Sequence, residues 1–349
     1  MYFVCIYKMS IWVFLGTRPE WIKCAPLFVN PVYIPIFVSQ QKELLPEHSA
    51  HPTIHVRDFC DDRLSNLVAS ILVADVWTTV ATATAGGKPQ AVLVQGDTAV
   101  AYAAAVAAFH RRIPVIHLEA GLRTRNLAHP WPEEGYRKMI DGLAAIALCP
   151  SEGAAANLRA ESYGGIVEIV GNTSIDAIAK YQLTPRVGTQ VLVTLHRREN
   201  WSAMREWFSA VEALAQRHTE LQFVIPVHPN PMLRDLAATI FKTVRVVDPL
   251  PHADLCALLA DCNCVISDSG GIQEEAAFLG KRVFCCRIAT ERDELCPAYV
   301  TLMESPADLN GIFTPQHLLL PRSTVYGCGD ATSRVFAAID AQAMNIGHQ

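Results

Sequence analysis

Cys264-Val265-Ile266-Ser267-Asp268-Ser269-Gly270-Gly271-Ile272-Gln273-Glu274-Glu275-Ala276-Ala277-Phe278-Leu279 runs from a short apolar stretch through Ser-Asp-Ser-Gly-Gly into helix formers. That order predicts a buried strand, a tight turn and a helix N-terminus. Paired glycines let a ligand approach the backbone closely, and first-turn amides have no partner inside their own helix. Such an end attracts anions, phosphates above all. Glu274 and Glu275 fall in the first turns, where a sugar hydroxyl finds an acceptor. The plain alternative is a helix capped by Ser269 that binds nothing.

The same strand-turn-helix alternation continues on both sides. Ser10 to Leu15 is an apolar run ending in Gly16-Thr17-Arg18-Pro19-Glu20, with Pro19 suited to the first helical turn and Lys23 further along. Ala91 to Gln95 ends in Gly96-Asp97-Thr98 before a helix from Ala99 to Phe109. Ile113 to Leu118 ends in Glu119-Ala120-Gly121. His129-Pro130-Trp131-Pro132 stiffens a loop ahead of a helix that starts near Glu133, with Arg137 one turn on as an i,i+4 partner. Strands follow at Ala144 to Cys149 and Val167 to Val170, and a helix after Gly171-Asn172-Thr173 crosses to a second half. There, Gln190 to Leu195 ends at His196-Arg197-Arg198-Glu199, Gln222 to Val227 ends at His228, and Val244 to Val247 ends at Asp248. Lys281 to Cys286 leads to Arg287 and then Thr290-Glu291-Arg292.

Consecutive βα units give parallel, doubly wound sheets. The 349 residues exceed one ordinary core. The expected fold is therefore α/β, two doubly wound Rossmann-like domains facing a central cleft. The expected boundaries are 1–176, a second domain 177–328, and a helix in 329–349 lying back toward the first domain. Strand carboxyl ends are where open α/β sheets bind ligands. Asp97, Glu119 and Glu133 then form an acidic wall, with Arg18 beside it; His196, Ser269-Gly270-Gly271 and Arg292 form the opposing wall. A guanidinium about 4 Å from a phosphate charge contributes on the order of 4 kcal/mol at an effective dielectric near 20, against roughly 0.3–1 kcal/mol for a helix terminus. Arg18 and Arg292 are accordingly expected to stabilise a leaving phosphate, with the glycine turn setting its position.

Composition narrows the class. Apolar residues make up 51% and charged residues 18%, with a net charge of −5, so the chain is globular and lacks a nucleic-acid surface. Basic residues sit in motifs, which suits small anionic ligands. The eleven cysteines include Cys149, Cys264, Cys285 and Cys286 in strand-like runs, without paired CxxC spacing. That placement predicts reduced thiols, a cytoplasmic setting and no metal site. Met1 to Leu15 is apolar but lacks a basic leader or cleavage site; it reads as the approach to the first strand, with Met9 as a candidate start. No run reaches the length of a membrane span.

Taken together these motifs closely resemble the non-hydrolysing UDP-N-acetylglucosamine 2-epimerases. The matching stretches are Gly16 to Glu20, Gln95 to Thr98, Glu119 to Thr124, Pro130 to Glu134, Gly171 to Thr173, His196 to Glu199, Pro226 to His228, Asp268 to Glu275 and Thr290 to Arg292. The resemblance implies a GT-B-like homodimer without cofactor that converts UDP-GlcNAc to UDP-ManNAc. In the family, UDP is eliminated to a 2-acetamidoglucal and added back on the other face. Carried over by position, Asp97, Glu119, Glu133 and His196 are the acid/base set. Arg18, Lys23, Arg292, Ser269, Gly270 and Gly271 hold phosphates, Glu275 holds the ribose, and Arg137 lies near the sugar. Carboxylates crowded together suit proton transfer near neutrality.

Some positions depart from the family pattern: Leu250 and Leu255 at the uracil contacts, Gln41-Lys42-Glu43 in the loop used for an activating second nucleotide-sugar, Arg287-Ile288-Ala289, and Cys328 in place of an Asp. A modified sugar such as a 2,3-diacetamido uronate therefore stays open as substrate. A hydrolysing epimerase, a GT-B glycosyltransferase and an inactive nucleotide-sugar binder compete with the epimerase as readings of the same motifs.

Overall fold

The structure, a computed structural model, describes residues 10–38, 54–56, 87–312 and 319–346, together with positions 68, 69, 71, 72, 77, 80 and 82. The candidate start at Met9, the Gln41-Lys42-Glu43 loop and most of the helices expected between Arg63 and Thr84 lie outside the described residues.

Two compact units divide the chain. The first comprises residues 1–122, 132–177 and 330–349; the second comprises 123–131 and 178–329. In the first unit the strands are β1 (Ile11–Leu15), β2 (Tyr33–Val38), β3 (Ile54–Val56), β4 (Ala91–Gln95), β5 (Val115–Leu118), β6 (Ile146–Cys149) and β7 (Ile166–Ile169). They pair in parallel in the order β3-β2-β1-β4-β5-β6-β7. Every residue of β1 and β4 is buried, which explains why these strands read as unbroken apolar runs: helices cover both faces. Helix α1 (Arg18–Cys24) follows β1, α2 (Ala99–His110) follows β4, α3 (Glu133–Leu143) precedes β6, and α4 (Glu152–Ala160) precedes β7. Helix α5 (Thr173–Ala179) then leads out of β7. The last helix, α10 (Ala331–Ile346), sets Val335 and Ile339 into the cluster that holds Ile11, Val13 and Leu93. Its first amides, those of Ala331 and Thr332, donate to Asp176 at 3.0 and 2.6 Å.

The second unit contains β8 (Gln190–Thr194), β9 (Gln222–Pro226), β10 (Arg245–Val247), β11 (Cys262–Ser267), β12 (Val283–Cys285) and β13 (Val300–Leu302). Their order is β10-β9-β8-β11-β12-β13, all parallel. Helices α6 (Met204–Arg217), α7 (Pro231–Ile240), α8 (His252–Asp261) and α9 (Gly270–Phe278) connect them. Trp207, Phe208, Val211 and Leu214 of α6 pack onto Val191, Val193 and Phe223 of the sheet. The edge strand β13 was not expected from the sequence; three residues carry too little periodicity to mark it.

Both sheets thus grow outward from their first strand, turn back beside it, and continue the other way. Numbered within its own unit, each reads 3-2-1-4-5-6, the order of dinucleotide-binding sheets, with the first unit adding one strand. The reversal falls between β1 and β4 in the first unit and between β8 and β11 in the second. Adjacent loops diverge to opposite faces at that point and leave a crevice at the strand carboxyl ends. Among the described residues, no helix is long and apolar enough to cross a membrane.

Candidate active site

In the first unit Arg18 and Asp97 leave neighbouring strands at the reversal, and Lys23, Glu119 and Arg137 meet there. Arg18 opens α1 directly after β1, while Asp97 ends the β4 turn. Thr17 caps α1 in a capping box with Glu20. One Glu20 oxygen accepts from the Gly16 and Thr17 amides at 2.9 and 2.6 Å, and the other accepts from the Thr98 hydroxyl at 2.6 Å. Thr98 in turn caps α2. A single buried carboxyl thus ties the Arg18 turn to the Asp97 turn, and burial pushes its pKa up despite those hydrogen bonds. The two turns are also packed tightly, since a Cβ on Gly16 would sit 2.3 Å from a Val100 methyl.

Glu119 and Asp97 each meet a cation. Lys23 forms an ion pair with Glu119, whose carboxylate also accepts from the Gln95 side-chain amide at 2.5 Å. Glu119 has φ of 72°, a left-handed backbone that a side chain of this size rarely adopts. The inward reach of a carboxylate from the end of β5 is therefore held at a conformational cost, as is common at functional sites. The Arg137 guanidinium grips Asp97, with Nε 3.1 Å from the carboxylate, and donates to Glu134 at 2.9 Å. The sequence spacing had paired Arg137 with Glu133. In the helix, Glu134 at i,i+3 lies on the arginine's side, and Glu133 stands at the first position after Pro132. Beneath Asp97, the buried His117 ring joins the Gly96 carbonyl at 2.8 Å to Asp141 at 2.6 Å, which fixes the turn from below.

In the second unit, β8 and β11 are neighbours, so the His196 loop and the glycine turn leave the sheet side by side. Asp268 joins them. Fully buried, its carboxylate accepts from the His196 amide at 3.0 Å, the Arg197 amide at 2.9 Å and the Asn200 side chain at 3.0 Å. The His196 ring stacks on His228, with centroids 5.8 Å apart. Burial of His228, with the His196 ring beside it, lowers the His228 pKa.

The glycine turn is as expected in outline and differs in detail. Ser269 occupies the N-cap of α9, but its hydroxyl makes no capping bond; its amide donates to the Ser267 hydroxyl at 3.0 Å. The plain reading of a Ser-capped helix is thereby corrected, and the first amides of α9 are left to other partners. A Cβ on Gly270 would fall 2.6 Å from an Arg292 nitrogen, whereas one on Gly271 would meet nothing within 4 Å. Arg292 therefore lies against the turn. It does so as part of a buried network: its Nε donates to Glu274 at 2.6 Å and Nη1 pairs with Glu291. Glu291 also receives Arg287 at 3.0 Å, and Arg287 reaches Glu199 at 3.0 Å. Burial works against the Arg287 charge, yet Glu291 and Glu199 push its pKa up. Glu275 points away from this network to His252 Nε2 at 3.2 Å.

Sequence reasoning missed Glu20, Asp268 and His117 as organisers of the site, although the first two lay inside recognised motifs. It also missed that His252, Cys256 and Glu275 bring three metal-ligating atoms within 4.8 Å of one another. The sequence had suggested no metal-ligand set, since these three residues are brought together only by the packing of α8 against α9. Burial, with Glu275 adding to it, pushes the Cys256 thiol pKa up.

The family model for UDP-N-acetylglucosamine 2-epimerase matches residues 64–340. The UDP-N-acetylglucosamine 2-epimerase of Neisseria meningitidis is 33% identical over 319 residues, covering 83% of this chain and 86% of that protein. The Escherichia coli K12 protein of the same name is 32% identical over 95% of this chain and 98% of its own length. A crystal structure of the Neisseria meningitidis UDP-GlcNAc 2-epimerase bound to UDP-GlcNAc aligns with a TM-score of 0.85 at 30% identity, over 95% of this chain and 100% of that one. The α/β, GT-B-like fold class expected from the sequence is borne out. With the strand reversals, the acidic turns and the glycine turn in the order the motifs gave them, the chain belongs to the UDP-N-acetylglucosamine 2-epimerase family, a family of isomerases.

Proposed function

We propose that the protein interconverts UDP-GlcNAc and UDP-ManNAc by eliminating UDP and adding it back after the sugar has turned its other face. The observation that carries this reading is the division of labour at the two strand reversals. The first unit places ion-paired carboxylates, Asp97 and Glu119, at its reversal; the second places the uncapped N-terminus of α9 at its own. The relatives bear the name of this activity, and one was crystallised with UDP-GlcNAc.

On this reading the diphosphate rests on the amides after Ser269, with Gly270 and Gly271 admitting it, and Arg18 and Lys23 add positive charge. Arg292 holds the turn in shape through Glu274 and Glu291, and lends what field its two carboxylates leave over. Glu275 takes the ribose hydroxyls. The C2 proton is weakly acidic, so a base must be held against it and an acid must deliver a proton to the opposite face. Asp97, Glu119, Glu133 and His196 supply those groups, and Arg137 orients Asp97. The product class, a UDP-activated N-acetylmannosamine, suits supply of surface-glycan precursors.

Incubation with UDP-GlcNAc in deuterated water, followed by NMR, tests the proposal. UDP-ManNAc carrying deuterium at C2 is the expected result. Release of UDP and free ManNAc would assign hydrolysis instead, and no turnover of UDP-GlcNAc would reject the substrate.

A further inference from the structure

Helix α8 carries two metal-ligating side chains on one stripe. His252 and Cys256 are four residues apart, so both project from the same face. Glu275, in the second turn of α9, meets them there. His252 Nε2 stands 3.2 Å from a Glu275 oxygen and 3.4 Å from Cys256 Sγ, and all three ligand atoms fall within 4.8 Å of one another. Zinc bonds of about 2.0–2.1 Å to nitrogen or oxygen and about 2.3 Å to sulfur put tetrahedral neighbours roughly 3.3–3.6 Å apart. The histidine's distances to its two neighbours are close to edges of such a tetrahedron.

The surroundings complete the arrangement. His252 Nδ1 lies 3.1 Å from the Tyr181 hydroxyl. That hydroxyl can accept from Nδ1–H, which leaves the Nε2 lone pair for a metal shared with Glu275 and Cys256, the usual support of a metal-bound imidazole. Cys256 is buried, while the His252 and Glu275 side chains keep 13% and 9% of their surface. The cluster is therefore enclosed on the sulfur side and reachable on the other. A thiolate and a carboxylate together neutralise a dication, which matters where water is scarce.

We propose that His252, Cys256 and Glu275 form a site for a zinc-class divalent cation, with a fourth position open to an exchangeable ligand. The thiol selects against magnesium and calcium, which require oxygen donors. On loading, the metal–sulfur bond forms as the Cys256 S–H bond breaks, and its proton leaves to solvent. Where Glu275 serves the ribose, as proposed above, bound metal withdraws that carboxylate; metal and UDP then exclude each other. This last consequence rests on the reading of Glu275, while the metal site itself does not.

Titration of the full chain with Co²⁺ alone provides the test. One equivalent should give the visible bands of tetrahedral cobalt and a thiolate charge-transfer band in the near ultraviolet, and Zn²⁺ should bleach both. Cys256→Ser should abolish the charge-transfer band, His252→Gln should lower affinity further than Tyr181→Phe, and Tyr181→Phe should cost roughly tenfold. Circular dichroism confirms that each variant is folded; His252→Gln changes no packed apolar side chain and keeps the test valid if Cys256→Ser does not fold. Absence of the bands at one equivalent, or bands that survive His252→Gln, would overturn the site. UDP should displace the cobalt; cobalt that binds tightly and ignores UDP would leave the site standing and remove Glu275 from the ribose.

Discussion

The two units share a strand order and a reversal point, yet they treat charge in opposite ways. In the first, the cations Lys23 and Arg137 come to carboxylates at the strand ends, so Glu119 and Asp97 each have a positive neighbour. In the second, the arginines Arg287 and Arg292 are sunk among three glutamates, and the feature left at the strand end is a helix terminus made of backbone. The topology decides where a ligand can sit; the side chains decide whether that place does chemistry or only grips.

The sharpest way to break this contrast is to remove one acid. Glu119→Gln keeps the size and a hydrogen-bonding side chain but cannot accept a proton as a carboxylate does. Turnover should fall by up to roughly 10⁴-fold, about 5 kcal/mol of transition-state stabilisation, while UDP binding by calorimetry stays unchanged. A parallel loss of UDP affinity would mean that Glu119 itself helps to hold the nucleotide.

The next test concerns Arg292. If its main work is to hold the buried network, Arg292→Met strands Glu274 and Glu291 and should destabilise the unliganded protein by about 3–5 kcal/mol, read as a lower urea midpoint. An unchanged midpoint with lost UDP affinity would return Arg292 to the role of a simple phosphate clamp.

How much of this was legible beforehand depends on whether the signal was local. Turns announce themselves through Gly, Pro and the end of an apolar run, so the strand ends carrying Arg18, Asp97, Glu119, His196 and Ser269 stood out. Parallel pairing followed from alternation alone. Partners far apart in sequence left no such trace. Asp268 binds amides 71 and 72 residues away, and Lys23 meets Glu119 across 96 residues. The plain alternative of a Ser269 cap could not be settled beforehand, because the Ser267 hydroxyl orders that turn through the Ser269 amide, a contact that spacing does not reveal. Glu134 was overlooked beside Glu133 because i,i+3 and i,i+4 spacings both set an acid beside Arg137, and sequence alone does not choose between them.

The two glycines sharpen the contrast further, since they differ in what surrounds them. A methyl group at 270 collides with Arg292, while one at 271 enters open space. Gly270→Ala should lower UDP affinity by roughly tenfold, about 1.4 kcal/mol, and reduce stability as the arginine is pushed off its carboxylates. Gly271→Ala should leave the thermal midpoint unchanged; any loss of UDP affinity there measures how closely the diphosphate approaches the backbone. Equal loss of stability in both would show that Gly271 serves the fold.

The smallest effect expected is one of pH, and it belongs to the second unit. His228 Nδ1 accepts a hydrogen bond from the Asn230 amide at 3.2 Å, which only the unprotonated nitrogen can do. Burial and the neighbouring His196 ring also disfavour its charge, with the Asp268 carboxylate opposing them in part. The folded pKa therefore lies below the unfolded value of about 6.5, so in the window beneath that value the unfolded chain binds more protons. Stability is complete above about pH 6.5 and declines as pH falls through the folded pKa. His228→Asn removes the titrating ring, so urea midpoints measured from about pH 7.5 down to about pH 5.5 should slope less steeply than in the unaltered protein. Identical slopes would show that the ring is as easily charged in the folded chain as in the unfolded one.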